Sequence, residues 1–144
     1  PDLFVKIIKD MYKSNNKLEV VLSGLRREYI MTELDKVGIK YHYFNMIPMN
    51  EINELYNCLD LYVVSSRCEG GPRAVFEAGL TKTPLISTSI GIAPELMHEE
   101  SLFDYNDWST YKGAVSRTEY LYKNVKYIMN MEYLTEFKEY LLRC

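Results

Sequence analysis

The chain has 144 residues, 47% hydrophobic and 26% charged, the length and balance of one folded domain, and wholesale disorder is excluded. Its 17 Lys and Arg against 20 Asp and Glu leave a net charge of −3, so a nucleic-acid backbone is not an expected partner. The longest apolar runs fall far short of the roughly 20 residues that a membrane-spanning helix needs.

Leu3, Ile7, Ile8 and Met11 recur at helical spacing, Asp2 is placed to cap them, and Asn15 and Asn16 end the pattern. Residues 18–22 are a short β-rich run that stops at Ser23 and Gly24; Ile30, Leu34 and Val37 then mark a second helix closed by Gly38. Residues 41–44 predict a strand, and Ile52, Leu55, Tyr56 and Leu59 a helix stripe. Residues 61–64 form an almost wholly apolar run, which suits a strand covered on both faces. A polar, glycine-containing loop over residues 65–71 leads to Pro72 in a first helical turn, with Ala74, Val75, Ala78 and Leu80 behind it. Residues 84–87 predict another strand, and the loop around Gly91 leads to Pro94 and a short helical turn. Residues 107–144 are rich in Tyr and Lys, and Val125, Ile128, Leu134 and Leu141 at helical intervals predict two terminal helices.

Strand and helix alternate at least four times, which predicts an α/β fold: a Rossmann-like parallel sheet with right-handed crossovers and helices on both faces. Ligands of such sheets bind beyond the carboxyl ends of the strands. The loops leaving those ends are Ser23 with Gly24, then residues 45–48, 65–71 and 87–91.

Residues 69–77, Glu-Gly-Gly-Pro-Arg-Ala-Val-Phe-Glu, carry the most chemical information. Two glycines after a buried strand let the backbone approach a ligand, and the helix starting near Pro72 offers amide groups to an anion. Arg73 in that first turn opposes the helix dipole unless an anion binds there, a hint of phosphate. Glu69 in the loop and Glu77 in the second helical turn can both face the sheet edge and accept hydrogen bonds from sugar or ribose hydroxyls. Taken alone, a pair of glutamates at this spacing arises easily by chance among 20 acidic residues.

The run of residues 65–79 resembles the donor-binding signature of group 1, retaining GT-B glycosyltransferases, in which two glutamates flank seven residues. Residues 41–48 with Leu55, Tyr56, Leu59, Asp60 and Leu61 resemble the strand, loop and helix that precede it. Residues 83–91 with Pro94, Glu95 and Leu96 resemble the strand and loop that follow, so the likeness runs over residues 3–103 in order. It implies that Glu69, as the catalytic-site residue, holds hydroxyls of the transferred sugar and that Glu77 binds the nucleotide ribose. It further implies that the backbone of Gly70, Gly71, Pro72, Arg73, Ala74 and Val75 meets donor sugar and phosphate, and that Asn45, Met46 and Ile47 border the base. The substrates implied are a nucleoside diphosphate sugar and an acceptor that is a polysaccharide, lipid or other glycan. No metal or other cofactor is expected, since protein donors can meet the leaving diphosphate.

Asn45 stands where the family has a glycine, and asparagine tolerates left-handed backbone better than most residues. The 23–26 loop holds one glycine where the family has several. The family's earlier strand, with an Arg and a Lys that grip the diphosphate, and its acceptor-binding N-terminal domain have no counterpart in these residues. Residues 1–144 are thus expected to be one nucleotide-sugar-binding domain, the C-terminal half of a GT-B fold truncated at its N-terminal side and inactive, or nearly so, without its partner domain.

Other groups have plainer readings. His42 and His98, the two histidines, suit packing or surface roles, and most of the 13 tyrosines suit amphipathic helix faces. Cys68 lacks a histidine partner and reads as a neighbour of the site; Cys58, Cys68 and Cys144 form neither a disulfide set nor a zinc motif. With no signal-peptide pattern, this predicts a cytoplasmic setting. Lys123, Lys126 and Lys138 could meet an anionic membrane surface, but interleaved Glu119, Glu132, Glu136 and Glu139 favour a solvated face. Two alternatives stay open: a non-catalytic nucleotide-binding or interaction module of the same fold, and a nucleotide-sugar epimerase.

Overall fold

The computed structural model describes residues 1–48 and 50–130. In chain order the elements are α1 (Asp2–Ser14), β1 (Val20–Ser23), α2 (Glu28–Asp35), β2 (Tyr41–Phe44), α3 (Ile52–Asn57) and β3 (Tyr62–Val64). They continue as α4 (Arg73–Thr81), β4 (Leu85–Thr88), α5 (Ala93–Leu96), β5 (Leu102–Phe103) and α6 (Thr118–Met129), with 3-10 turns at Glu99–Ser101 and Trp108–Gly113. Every strand pairing is parallel, and each crossover carries a helix, as the alternation predicts.

The ladder is in two pieces, β1-β2 and β3-β4-β5, where one continuous sheet was expected. Among the described residues no strand pairs with the far edge of β1 or with the near edge of β3. Helix α1 spans the division. Its Val5 and Ile8 join Val20, Leu22, Ile30 and Leu34 over the two-stranded sheet. Its Leu3 and Ile7 reach Ile86 and Phe103 on the three-stranded one and Tyr111 in the 3-10 turn at Trp108–Gly113. The opposite face of β3 and β4 is covered by α3, α4, α5 and α6 through Tyr56, Val75, Ala78, Leu96, Leu121 and Val125 packed on Val64 and Leu85. β4, the central strand, is buried at all four positions, and the two faces of β3 are covered at Val63 and Val64.

Several local expectations change. Asp2 does not cap α1; its carboxylate takes both Arg67 guanidinium nitrogens at 2.6 Å, tying the helix start to the loop after β3 and holding Asp2 well below the usual carboxylate range. Val37 and Leu59 fall outside α2 and α3, because Gly38 at φ 69° and Cys58 at the end of α3 close those helices earlier. Residues 108–113 form a 3-10 turn, and α6 is the terminal helix of the described residues; Leu134 and Leu141, on which a further helix was expected, lie outside them.

Helices α4 and α6 approach closely at Gly79, where a Cβ would sit 2.7 Å from Val125 Cγ2 and 3.2 Å from Leu121 Cγ. Alanine there gains about 1 kcal/mol of helix propensity. The overlap with the buried Val125 outweighs it, since overpacking a core costs about 1–3 kcal/mol. Gly79→Ala is therefore expected to lower the urea midpoint, and a raised midpoint would contradict this packing.

Glu33 on α2 is held by Lys36 at the C-cap of that helix and by Lys9 of α1 at 2.7 Å, which pull its pKa from 4.5 to about 2. A depressed carboxylate stabilises the fold above its unfolded pKa, and that contribution is lost as pH falls towards the folded value. Between pH 4.5 and pH 2 the unmodified chain should thus lose stability more steeply than Glu33→Gln, measured as urea midpoints against pH. Parallel curves would contradict the assignment.

Candidate functional site

The carboxyl ends of β3 and β4 deliver two glycine-containing loops to one place. Gly91 has φ 52°, and a Cβ on it would stand 2.5 Å from the Glu69 carbonyl oxygen and 2.7 Å from that of Gly70. The loop after β4 therefore forms the floor on which residues 69 and 70 rest. Thr88 Oγ1 donates to the Ser66 carbonyl at 2.7 Å, and the Arg67–Asp2 pair fixes the same loop from the other side. Glu69 is exposed at the tip, its Oε1 accepting from the Ser66 hydroxyl.

Pro72 is buried at the N-cap of α4, so the chain turns from loop into helix there. Pro72 has no amide proton, and the Val75 amide already donates to the Pro72 carbonyl at 3.0 Å. Of the expected backbone donors, the turn accordingly presents those of Gly70, Gly71 and Ala74, with Arg73 beside them.

Glu77, in the second turn of α4, lines a cleft of about 300 Å³ between α3, α4 and the ends of β1 and β3. Ser23, Ile52, Leu55, Tyr56, Tyr62, Arg73 and Ala74 form the rest of its walls. The Glu77 carboxylate is divided between two neighbours: Tyr56 donates its hydroxyl to Oε2 at 2.8 Å, and Arg73 Nη2 lies 3.7 Å from Oε1. Tyr56 is 3% exposed and stacks on Tyr62 with ring centroids 5.2 Å apart. Burial pushes both phenols above their ordinary pKa, with the neighbouring Tyr62 and Glu77 adding to the effect on Tyr56, which takes them further from ionisation than a free phenol, itself protonated at neutral pH.

The expected site residues separate into two groups. Glu69, Gly70, Gly71, Pro72, Arg73, Ala74, Val75 and Glu77 lie along one turn into one helix. Asn45, Met46 and Ile47 leave the carboxyl end of β2, outside the walls of the Glu77 cleft; Met46 is 80% exposed. Asn45 does not use left-handed backbone, and its Oδ1 accepts from Tyr43. Sequence reasoning missed Tyr56 as a partner of Glu77, because it reads as part of an apolar stripe and the pair is 21 positions apart. His42, exposed, binds Glu19 at 2.7 Å, and His98, half-buried against Tyr120, accepts from the Glu100 amide. A second concavity, of about 330 Å³ beside Ser89, Asp104 and Tyr105, holds none of the motif residues.

The sequence matches the family described as glycosyl transferases group 1 over residues 1–132. The fold is similar to that of sucrose-phosphate synthase from Thermosynechococcus elongatus, with a TM-score of 0.68 at 17% identity over 88% of this chain. The chain spans 37% of that enzyme's length. No match to a curated protein was found.

Proposed function

The chain belongs to the group 1 glycosyl transferases, and on that premise we propose that it is the donor-binding domain of a retaining enzyme that uses a nucleoside diphosphate sugar. The observation that carries this reading is the placement of Glu69 just before the Gly-Gly-Pro turn and of Glu77 in the second turn of the helix that follows it, with Glu77 in the wall of the cleft. Glu77 binds the ribose, the amides of Gly70, Gly71 and Ala74 with Arg73 meet the diphosphate, and Glu69 orients the sugar by its hydroxyls. Asn45, Met46 and Ile47 border the base from the side of β2.

In the transfer itself the bond between the anomeric carbon and the diphosphate oxygen breaks, the electron pair leaving on the nucleoside diphosphate. The acceptor hydroxyl oxygen bonds the anomeric carbon on the same face, and its proton passes to the departing diphosphate. No metal is assigned, because the negative charge that develops falls beside the N-terminus of α4 and Arg73.

The acceptor, a polysaccharide, lipid or other glycan, and the second wall of the cleft belong to an N-terminal domain outside these 144 residues. The edges of β1 and β3 that are unpaired among the described residues support a further parallel strand between them that completes the sheet. A cytoplasmic location is part of the proposal, supported by exposed free thiols at Cys58 and Cys68; among the described residues no helix is long and apolar enough to cross a membrane.

A thermal-shift panel of nucleoside diphosphates and nucleotide sugars tests the reading, since a ligand of the native state raises its midpoint. A selective rise with one base, increased by one sugar, is the expected result. No rise with any member at millimolar concentration would overturn it.

A further inference from the structure

We propose that Tyr56 is a positioning residue that sets which oxygen of Glu77 the ligand meets, and thereby the preference of the cleft for a ribose over a deoxyribose. The inference rests on the reading of Glu77 as the ribose-binding residue and extends it to a side chain on a different helix.

The ring of Tyr56 is held from several directions. It is 3% exposed, stacks on Tyr62 at 5.2 Å with an interplanar angle of 14°, and lies in the apolar cluster with Val64, Val75 and Leu85. Its backbone carbonyl accepts the buried Thr83 hydroxyl at 2.9 Å. A phenylalanine would satisfy all of these contacts, so packing does not account for the hydroxyl. That hydroxyl donates to Glu77 Oε2 at 2.8 Å.

The consequence falls on Glu77. A carboxylate on a solvent-facing helix position samples several rotamers, and ordering a long side chain costs entropy each time a ligand binds. Here Oε2 is committed to Tyr56, and Oε1 is left on the side of Arg73, 3.7 Å from its Nη2, on a residue that lines the cleft. A diol that donates to Oε1 therefore meets an acceptor already oriented. A phenol is protonated at neutral pH at its ordinary pKa of about 10, and burial raises that value further, so the bond persists across the neutral range.

The test compares the 144-residue chain with Tyr56→Phe by calorimetric titration of a ribonucleoside diphosphate and its 2′,3′-dideoxy analogue. The unmodified chain should prefer the ribose form by about tenfold or more, and Tyr56→Phe should reduce that ratio about three- to tenfold. Affinity for the dideoxy analogue should stay within about twofold, since the phosphate contacts are untouched. A merely structural role would weaken both ligands alike, and an unchanged ratio in Tyr56→Phe would overturn the positioning role while leaving Glu77 as the ribose residue. Equal affinity of the unmodified chain for both nucleotides, or none for either, would overturn the reading of Glu77 itself and this inference with it.

Discussion

Gly91→Ala is expected to unseat the loop that carries Glu69 and to abolish the proposed sugar-nucleotide binding, although residue 91 lies on the next loop of the chain. Two costs combine. A left-handed φ of 52° in an L-residue costs roughly 1–2 kcal/mol. The added Cβ would stand 2.5 Å from the Glu69 carbonyl oxygen and 2.9 Å from the Gly70 carbonyl carbon, and these backbone atoms cannot rotate away as a side chain would. Relief requires moving residues 69 and 70, an overpacking cost of about 1–3 kcal/mol. Urea denaturation should show a loss of a few kcal/mol for Gly91→Ala, while Gly113→Ala, with nothing within 4 Å and no positive φ, stays within about 0.5 kcal/mol. Equal midpoints for the two variants would remove the floor-and-loop contact from the account.

Glu77→Ala is expected to act on stability and on binding together. Truncation leaves the buried Tyr56 hydroxyl without its acceptor, and an orphaned buried polar group costs about 1–3 kcal/mol. The same change removes the proposed ribose acceptor, with an expected loss in nucleotide affinity of similar size, about five- to 150-fold. Glu77→Gln separates the two effects, because the amide oxygen still accepts from Tyr56 while the charge beside Arg73 is gone. Its midpoint should stay near that of the unmodified chain and its nucleotide affinity should fall. A Gln variant as unstable as the Ala variant would mean that charge, and not acceptance from Tyr56, is what the fold needs at this position.

Those two residues also mark how far the sequence could be read. The alternation of strands and helices was legible because side-chain period is local: Leu3, Ile7 and Ile8 show a helix stripe, and residues 61–64 a covered strand, without reference to anything distant. The turn from Glu69 to Glu77 was legible for the same reason, since one loop and one helix carry it. Contacts between segments were not. Nothing in the local pattern says that Gly91 lies under the Glu69 carbonyl, that Tyr56 reaches Glu77 across 21 positions, or that Asp2 forgoes a cap to bind Arg67, 65 positions away. The division between β1 and β3 was equally hidden, because apolar runs such as residues 20–22 and 62–64 read alike whether or not a neighbour pairs with their edges.

The central claim is that the turn from Glu69 to Glu77 receives the donor. Amide chemical-shift mapping of the isotopically labelled chain during titration with the nucleoside diphosphate that gives the largest thermal shift tests it most directly. The predicted result is a set of saturating shifts at Gly70, Gly71, Arg73, Ala74 and Glu77, extending to Tyr56 and Tyr62 and weak at His42 and His98. Saturating shifts centred instead on Ser89, Asp104 and Tyr105, beside the second concavity, with residues 69–77 unmoved, would contradict the account.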